Sequence, residues 1–204
     1  MHELQERQEL LGRIQRRVDA LPSGLRDHIY RVRDIAKQLA PSHGIDPERA
    51  ALGMLAHDVA RAMPDLELLH RAGELGLPIG TLERGLPILL HGPVGAEILV
   101  KEDGLADPSI HQAVYWHTTA HPDLDDLGKL VFLADKLDPQ KFAAYPYQPL
   151  LRQLAMEDLD KAVLEFLSRE TVSLVSRGLM IHPMVLETRN RLLAASASAE
   201  TPGD

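Results

Sequence analysis

The sequence predicts an all-α protein, an irregular bundle of helices joined by short connections. Three observations over its 204 residues carry this. Apolar residues recur three and four apart along most of the chain. Gly and Pro stand between the periodic segments. No segment shows the period-two alternation of β-branched residues that marks a half-buried strand.

Leu11, Ile14, Val18 and Leu21 form the first stripe, so residues 1–20 are expected to be an N-terminal helix packing on the domain. A second stripe, Leu25, His28, Val32, Ile35 and Leu39, follows Ser23 as the expected N-cap and ends before Pro41. A third helix is expected to open at Asp46 and Pro47 and to run through ERAALGMLAHDVARAM as far as Pro64. Its Ala- and Leu-rich middle predicts burial around much of its circumference. PDLELLHRAGELG, TLERGLPILL, HGPVGAEILVKEDG, DPSIHQAVYWHT, DDLGKLVFLADKLD, QPLLRQLAMEDLDKAVLEFLSRETVSLVSRG and HPMVLETRNRLLAA supply the remaining helical segments. The last stretch holds too few large apolar groups to offset its ordering entropy, and residues 196–204 are expected to be a disordered tail.

Composition narrows the chemistry. The chain has no cysteine, which excludes disulfides, thiolate zinc or iron-sulfur sites and a cysteine nucleophile. Lys and Arg number 22 against 30 Asp and Glu, and no basic block tracks a phosphate backbone, so general nucleic-acid binding is not expected. The N-terminal segment has no apolar signal core, and no apolar run approaches the ~18 residues of a membrane span. A cytoplasmic protein without membrane contact is expected. Histidine, present ten times, is the unusual entry and points to imidazole and carboxylate chemistry.

Six polar groups occupy positions where leucines would pack. His28 lies on the second apolar stripe; His57 and Asp58 sit side by side in LAHDVAR; His91 follows LPILL; His117 follows Ala113 and Val114; and Asp135 interrupts KLVFLADKL. Each alone reads as a core residue with a satisfied hydrogen bond, because buried polar groups are normally paired. Together, four imidazoles and two carboxylates make a ligand set suited to iron, manganese, zinc, cobalt or nickel. Arg61, read as one helical turn after His57, and Lys141 read from the residues alone as solvated surface charge, and Trp116 as a core or pocket-wall residue. His2, His43, His70, His111 and His182 read as ordinary local histidines.

The ordered set His28, His57-Asp58, His91, His117 and Asp135, with LAHDVAR, LLHGPVGAEIL, WHTTAHP, VFLADKLDP, AMEDLDKAV and LMIHPMVLETRNRLL, resembles the HD-domain metal-dependent phosphohydrolases. Within them it is similar to the YqeK-type symmetrical bis(5'-nucleosyl)-tetraphosphatase family. That resemblance implies an HD-domain helical bundle over residues 21–195. It also implies a pair of divalent or trivalent transition-metal ions, with iron the expected metal and manganese, cobalt or nickel as alternatives. His28, His57, Asp58 and Asp135 would hold one ion, and Asp58 would bridge to a second held by His91 and His117. The implied reaction is hydrolysis of diadenosine tetraphosphate to two ADP by a hydroxide of the dinuclear centre attacking phosphorus. His57, Asp58 and Arg61 are then expected in catalysis, and Arg61, His117, His121 and Lys141 against the substrate. Ala120, His121, Lys136, Asp138 and Lys141 depart from the family's usual pattern, so another nucleotide mono- or triphosphate stays open as substrate, as does a non-catalytic nucleotide-binding module. The partner expected is a small nucleotide, and a homodimer is left open.

Overall fold

A computed structural model describes residues 2–199, and every regular element among them is helical. In chain order these are α1 (His2–Asp19), α2 (Ser23–Leu39), α3 (Pro47–Ala56), α4 (Asp65–Glu74), α5 (Thr81–Gly85), α6 (His91–Asp103), α7 (Pro108–Trp116), α8 (Asp126–Lys136), α9 (Gln148–Glu157), α10 (Leu159–Ser176) and α11 (Pro183–Ala199). Short 3-10 turns cover Ala40–His43, Pro87–Leu90 and Pro139–Lys141.

Aspartates fix where four helices begin. Asp46 accepts from the Glu48 N–H, Asp107 from Ser109 and Ile110, Asp125 from Gly128, and Asp158 from Lys161. Each such cap stabilises its helix by about 1 kcal/mol. More usefully, the caps of α3, α7 and α8 set the register at which those helices deliver His57, His117 and Asp135.

Helix α8 is the centre of the bundle, with Leu130, Val131, Phe132, Leu133 and Ala134 all fully buried. Helix α3 is buried from Ala50 to Ala56 and packs on α2, α7 and α8. Gly53 makes this approach close, since a Cβ there would stand 3.1 Å from Val131. Helix α1 adds Ile14 and Val18 to the same core, each fully buried. A smaller cluster, Leu68 and Ala72 of α4 with Val94 and Ile98 of α6, seats α4 on α6. Full burial of a Leu or Ile is worth about 1.5–3 kcal/mol, so the core rather than the caps holds the bundle together.

Several expectations need correction. Ser23 is the first residue of α2; Pro22 occupies the cap position and no side chain caps there. The third helix stops at Ala56 and residues 57–62 are turns, with the His57 side chain bonded to the Met54 carbonyl. The expected single helix after Gln148 breaks at Asp158, whose extended backbone and carboxylate start α10. Helix α11 runs to Ala199, four residues into the expected tail, with the Ser196 and Ser198 hydroxyls bonding the Leu193 and Ala194 carbonyls. Residues 200–204 and the His2 side chain lie outside the described residues. Among the described residues no helix is long and apolar enough to cross a membrane.

Candidate metal centre

His28, His57, Asp58, His91, His117 and Asp135 converge from α2, the turn after α3, the start of α6, the end of α7 and the end of α8. None is more than 9% exposed. All six belong to one chain, so the cluster is complete without a second copy.

One local device orients three of the imidazoles. The last carbonyls of a helix lack intrahelical partners. His57 Nδ1–H donates to the Met54 carbonyl at 2.6 Å, and His117 Nδ1–H donates to that of Val114 at 2.7 Å. His91 Nδ1–H donates in the same way to Ile88, at the end of the 3-10 turn. In each case the acceptor lies three residues earlier. The fourth imidazole, His28, donates from Nδ1 to Asp138 Oδ2 at 2.5 Å. With every Nδ1 engaged, every Nε2 faces the centre, an outer-shell arrangement that fixes tautomer and ring orientation for metal ligation.

Asp58 stands between two groups. Its Oδ1 faces His91 Nε2 at 3.1 Å and His117 Nε2 at 3.4 Å. Its Oδ2 faces His57 Nε2 at 3.4 Å and His28 Nε2 at 3.9 Å. Asp135 Oδ1 lies 3.0 Å from His28 Nε2 and 3.8 Å from His57 Nε2. The ligand atoms of His28, His57 and Asp58, and separately of Asp58, His91 and His117, lie within 4.8 Å of one another.

Two observations show that this set fits metal ions. His57 Nε2 is buried without a hydrogen-bond partner, a costly state for a polar atom. His91 Nε2 and His117 Nε2 are 2.8 Å apart although both rings already donate through Nδ1. Two neutral imidazoles would therefore oppose lone pairs there, unless a cation or proton lies between them. Burial opposes ionisation of Asp58, yet the His57 charge outweighs it and holds the carboxyl well below its ordinary range. Burial likewise opposes ionisation of Asp135, and Lys136 and Lys141 overcome it. Burial with the neighbouring His91 and His57 charges lowers His117 to about 4. Ionised Asp58 and Asp135 and a neutral His117 are the protonation states that ligation requires, whereas His57, whose burial is outweighed by the two carboxylates so that its pKa is raised to about 10, has a proton to give up first. The residues thus form two metal-binding clusters that share Asp58, an arrangement suited to a dinuclear centre.

A cavity of about 270 Å³ opens onto the cluster. Arg61, Lys136 and Lys141 give it a cationic side, Thr118 lies beside the imidazoles, and Tyr145, Phe166 and Glu170 also line it. Arg61 reaches it from the turn after α3 and not from a helical face, so the i to i+4 relation expected with His57 does not exist. Lys141 Nζ donates to Asp135 Oδ1 at 2.6 Å. His121 is not among the lining residues; it stacks on Trp116 with ring centroids 4.6 Å apart and accepts from the Asp123 N–H. A larger hollow of about 840 Å³ lies elsewhere, beside α1, but its Arg49 is committed to both oxygens of Asp107.

The remaining histidines make local contacts. His43 bonds the Ala155 carbonyl, His111 meets Glu97 at 3.0 Å, and His182 lies 3.5 Å from Glu83. His70 is exposed beside Glu74.

Two residues beside the cluster, named from the sequence only as departures from the family pattern, turn out to be buried against it. Asp138 is 1% exposed and joins His28 to the Arg31 guanidinium, which donates to both carboxylate oxygens at 3.0 and 2.9 Å. Burial opposes its charge, but Arg31 and His28 prevail and lower its pKa to about 2. Lys136, 6% exposed, donates to Asp135 Oδ2 and to the His117 carbonyl. The spacing of Asp138, three residues after Asp135, was the available signal; nothing local marked Lys136 as buried.

The HD domain family model matches residues 25–140. A symmetrical bis(5'-nucleosyl)-tetraphosphatase of Bacillus subtilis (strain 168) is 30% identical over 169 residues, covering 83% of this chain and 89% of the relative. A second, from Halalkalibacterium halodurans, is 32% identical over 166 residues, covering 81% and 87%. Among solved structures, a predicted HD superfamily hydrolase involved in NAD metabolism from Clostridium acetobutylicum superposes with a TM-score of 0.84 at 27% identity, covering 91% of this chain and 97% of the other.

Proposed function

This chain belongs to the HD domain family, as a phosphohydrolase whose metal-binding residues are poised for catalysis, and from that premise we propose that it cleaves diadenosine tetraphosphate into two ADP at a di-iron centre. The observation that carries the reaction class is the division of Asp58 between two imidazole pairs, one carboxylate oxygen to each. Support for this substrate comes from the two symmetrical tetraphosphatases that align over most of their own length.

His28, His57, Asp58 and Asp135 would hold one ion, and Asp58, His91 and His117 the other. When bound, two such cations lower the pKa of a water and offset charge on the attacking and leaving oxygens of an in-line displacement. The chain itself supplies orientation and countercharge. Water adds to one of the two central phosphorus atoms, the bond to the central bridging oxygen breaks, and that oxygen leaves with the other ADP. Arg61 and Lys141 bind the phosphate oxygens from the cavity's cationic side. The Thr118 hydroxyl, 3.2 Å from His117 Nε2, lies where it can donate to a phosphoryl oxygen. Phe166 and Tyr145 restrict water on the other wall. No serine or cysteine nucleophile is required.

One observation favours a second reading. Lys141 is engaged with Asp135 and Glu170 adds a carboxylate to the cavity, a smaller free cationic surface than a tetraphosphate calls for. A nucleoside mono- or triphosphate would then be the substrate of the same centre. Chromatography of products after incubation of the iron- or manganese-loaded protein with diadenosine tetraphosphate decides. Two ADP supports the first reading. AMP with ATP, or an inert tetraphosphate alongside phosphate release from other nucleotides, overturns it.

A further inference from the structure

We infer that Lys136 is a positioning residue that locks the two halves of the metal centre to each other, an inference that rests on the dinuclear reading above but not on any substrate. Lys136 is the last residue of α8, and its ammonium lies 4.7 Å from the centroid of the Phe132 ring and 5.9 Å from that of Phe166. A methionine or leucine would fill that apolar space at less cost, since a buried ammonium is unfavourable unless its partners are well placed.

The partners are two, and they belong to different halves. Nζ donates to Asp135 Oδ2 at 2.8 Å and to the His117 backbone carbonyl at 3.0 Å. Asp135 stands with His28 and His57; His117 stands with His91. A single side chain therefore ties the carboxylate of one half to the backbone of the other.

Its effect on each is specific. Holding Asp135 by Oδ2 leaves Oδ1 turned toward His28 and His57. The His117 ring is already held by Nδ1 through Val114, and Lys136 fixes its main chain as well. Gln148 supports the anchor from outside by donating to the carbonyls of Lys136 and Asp138, each at 2.8 Å. Lys141 differs in kind. Its ammonium sits on Oδ1, the oxygen that faces the centre, and its side chain is 34% exposed, so it can leave that oxygen to a cation while Lys136 stays.

Cobalt(II) titration of the metal-free full chain, followed by calorimetry and by the visible d–d bands, provides the test. His28→Ala leaves the Asp58–His91–His117 half, and His91→Ala leaves the other. Lys136→Met should weaken cobalt binding about 10-fold to 100-fold in both backgrounds, as loss of an outer-shell partner does. Lys136→Arg, which keeps the charge and offers several donors, should recover part of it. Weakening confined to the His91→Ala background, or in neither, overturns the inference. If Lys136→Met yields no folded protein by circular dichroism, Lys136→Gln keeps a donor and carries the same comparison. A wild-type chain that binds no cobalt overturns both this inference and the dinuclear reading, whereas failure of the nucleotide assay alone leaves this one standing.

Discussion

Asp58 Oδ2 and His57 Nε2 lie 3.4 Å apart at the turn that ends α3, although the two residues are consecutive. Neighbouring residues of a helix point about 100° apart. His57 itself keeps helical dihedrals as the cap of α3, and its Nδ1–H bonds the Met54 carbonyl, which leaves Nε2 turned toward the Asp58 carboxylate. The same side-chain-to-carbonyl closure recurs at His91 and His117. The fold thus uses three helical ends to aim three imidazoles, and Asp58 receives them on both oxygens.

Asp58→Ala should lose both ions at once, because it removes the one charge that both halves share. Elemental analysis after anaerobic purification should give near zero metal per chain, against two for the wild type. His91→Ala should retain one. Two ions in the Asp58→Ala protein would overturn the bridging role.

Ion uptake should release protons and strengthen with pH. Burial disfavours the His57 imidazolium, but Asp58 and Asp135 favour it by more, and its pKa is raised to about 10 in the metal-free chain. A proton must therefore leave His57 before it can ligate. Calorimetry at pH 7.5 in buffers of different ionisation enthalpy should show about one proton released per ion taken up by His28, His57, Asp58 and Asp135. For the metal-free chain the raised value has the opposite consequence. Its stabilising contribution is complete below the unfolded pKa of about 6.5 and is lost as pH rises through about 10. Chemical denaturation of the metal-free protein between pH 6 and 10 should show this decline, and metal should remove most of it.

Gly92 permits α6 and α7 to meet beside the centre. A Cβ there would stand 2.7 Å from the Tyr115 carbonyl oxygen, 3.0 Å from that of Val114 and 3.3 Å from His117 Cε1. The helix gain of Ala over Gly, about 1 kcal/mol, is smaller than the cost of pushing backbone from backbone. Gly92→Ala should lower Tm by about 5 °C and weaken the ion held by His91 and His117. Gly73→Ala in α4, with nothing within 4 Å of the added carbon, should leave Tm unchanged or raise it. A neutral Gly92→Ala in calorimetry would refute the close approach.

How much of this was readable beforehand divides along physical lines. The helices follow from the three-and-four spacing, and the six ligand candidates stood out because each replaces an apolar group on an otherwise apolar face. The end of α3 did not, since HDVARAM keeps the helical period, while in the structure α3 stops at Ala56 and the His57 ring takes the Met54 carbonyl. Asp138 and Lys136 stood out in the sequence only as departures from the family's usual pattern, not as buried groups. They are buried because Gln148 and Phe166, 10 and more residues further on, close over them, contacts that no local pattern encodes. The split between α9 and α10 was hidden similarly, as Asp158 sits within an acidic run and is distinguished only by its extended backbone and its bond to the Lys161 N–H.

Arg61 and Lys141 both face the cavity, but their removal should act differently on metal. Arg61 is exposed and among the described residues pairs with no carboxylate, so Arg61→Ala should raise KM about 10-fold through a lost phosphate contact and leave metal affinity unchanged. Lys141 Nζ shares Asp135 Oδ1 with the position a cation would take, so it competes with the ion while it also serves the substrate. Lys141→Ala should raise KM similarly and yet strengthen binding of the ion beside His28, His57 and Asp135 by several-fold. Metal titration of the two variants beside their steady-state kinetics separates these effects. Equal metal affinity in both would show that the Lys141–Asp135 contact does not oppose ligation, and that Lys141 acts on substrate alone.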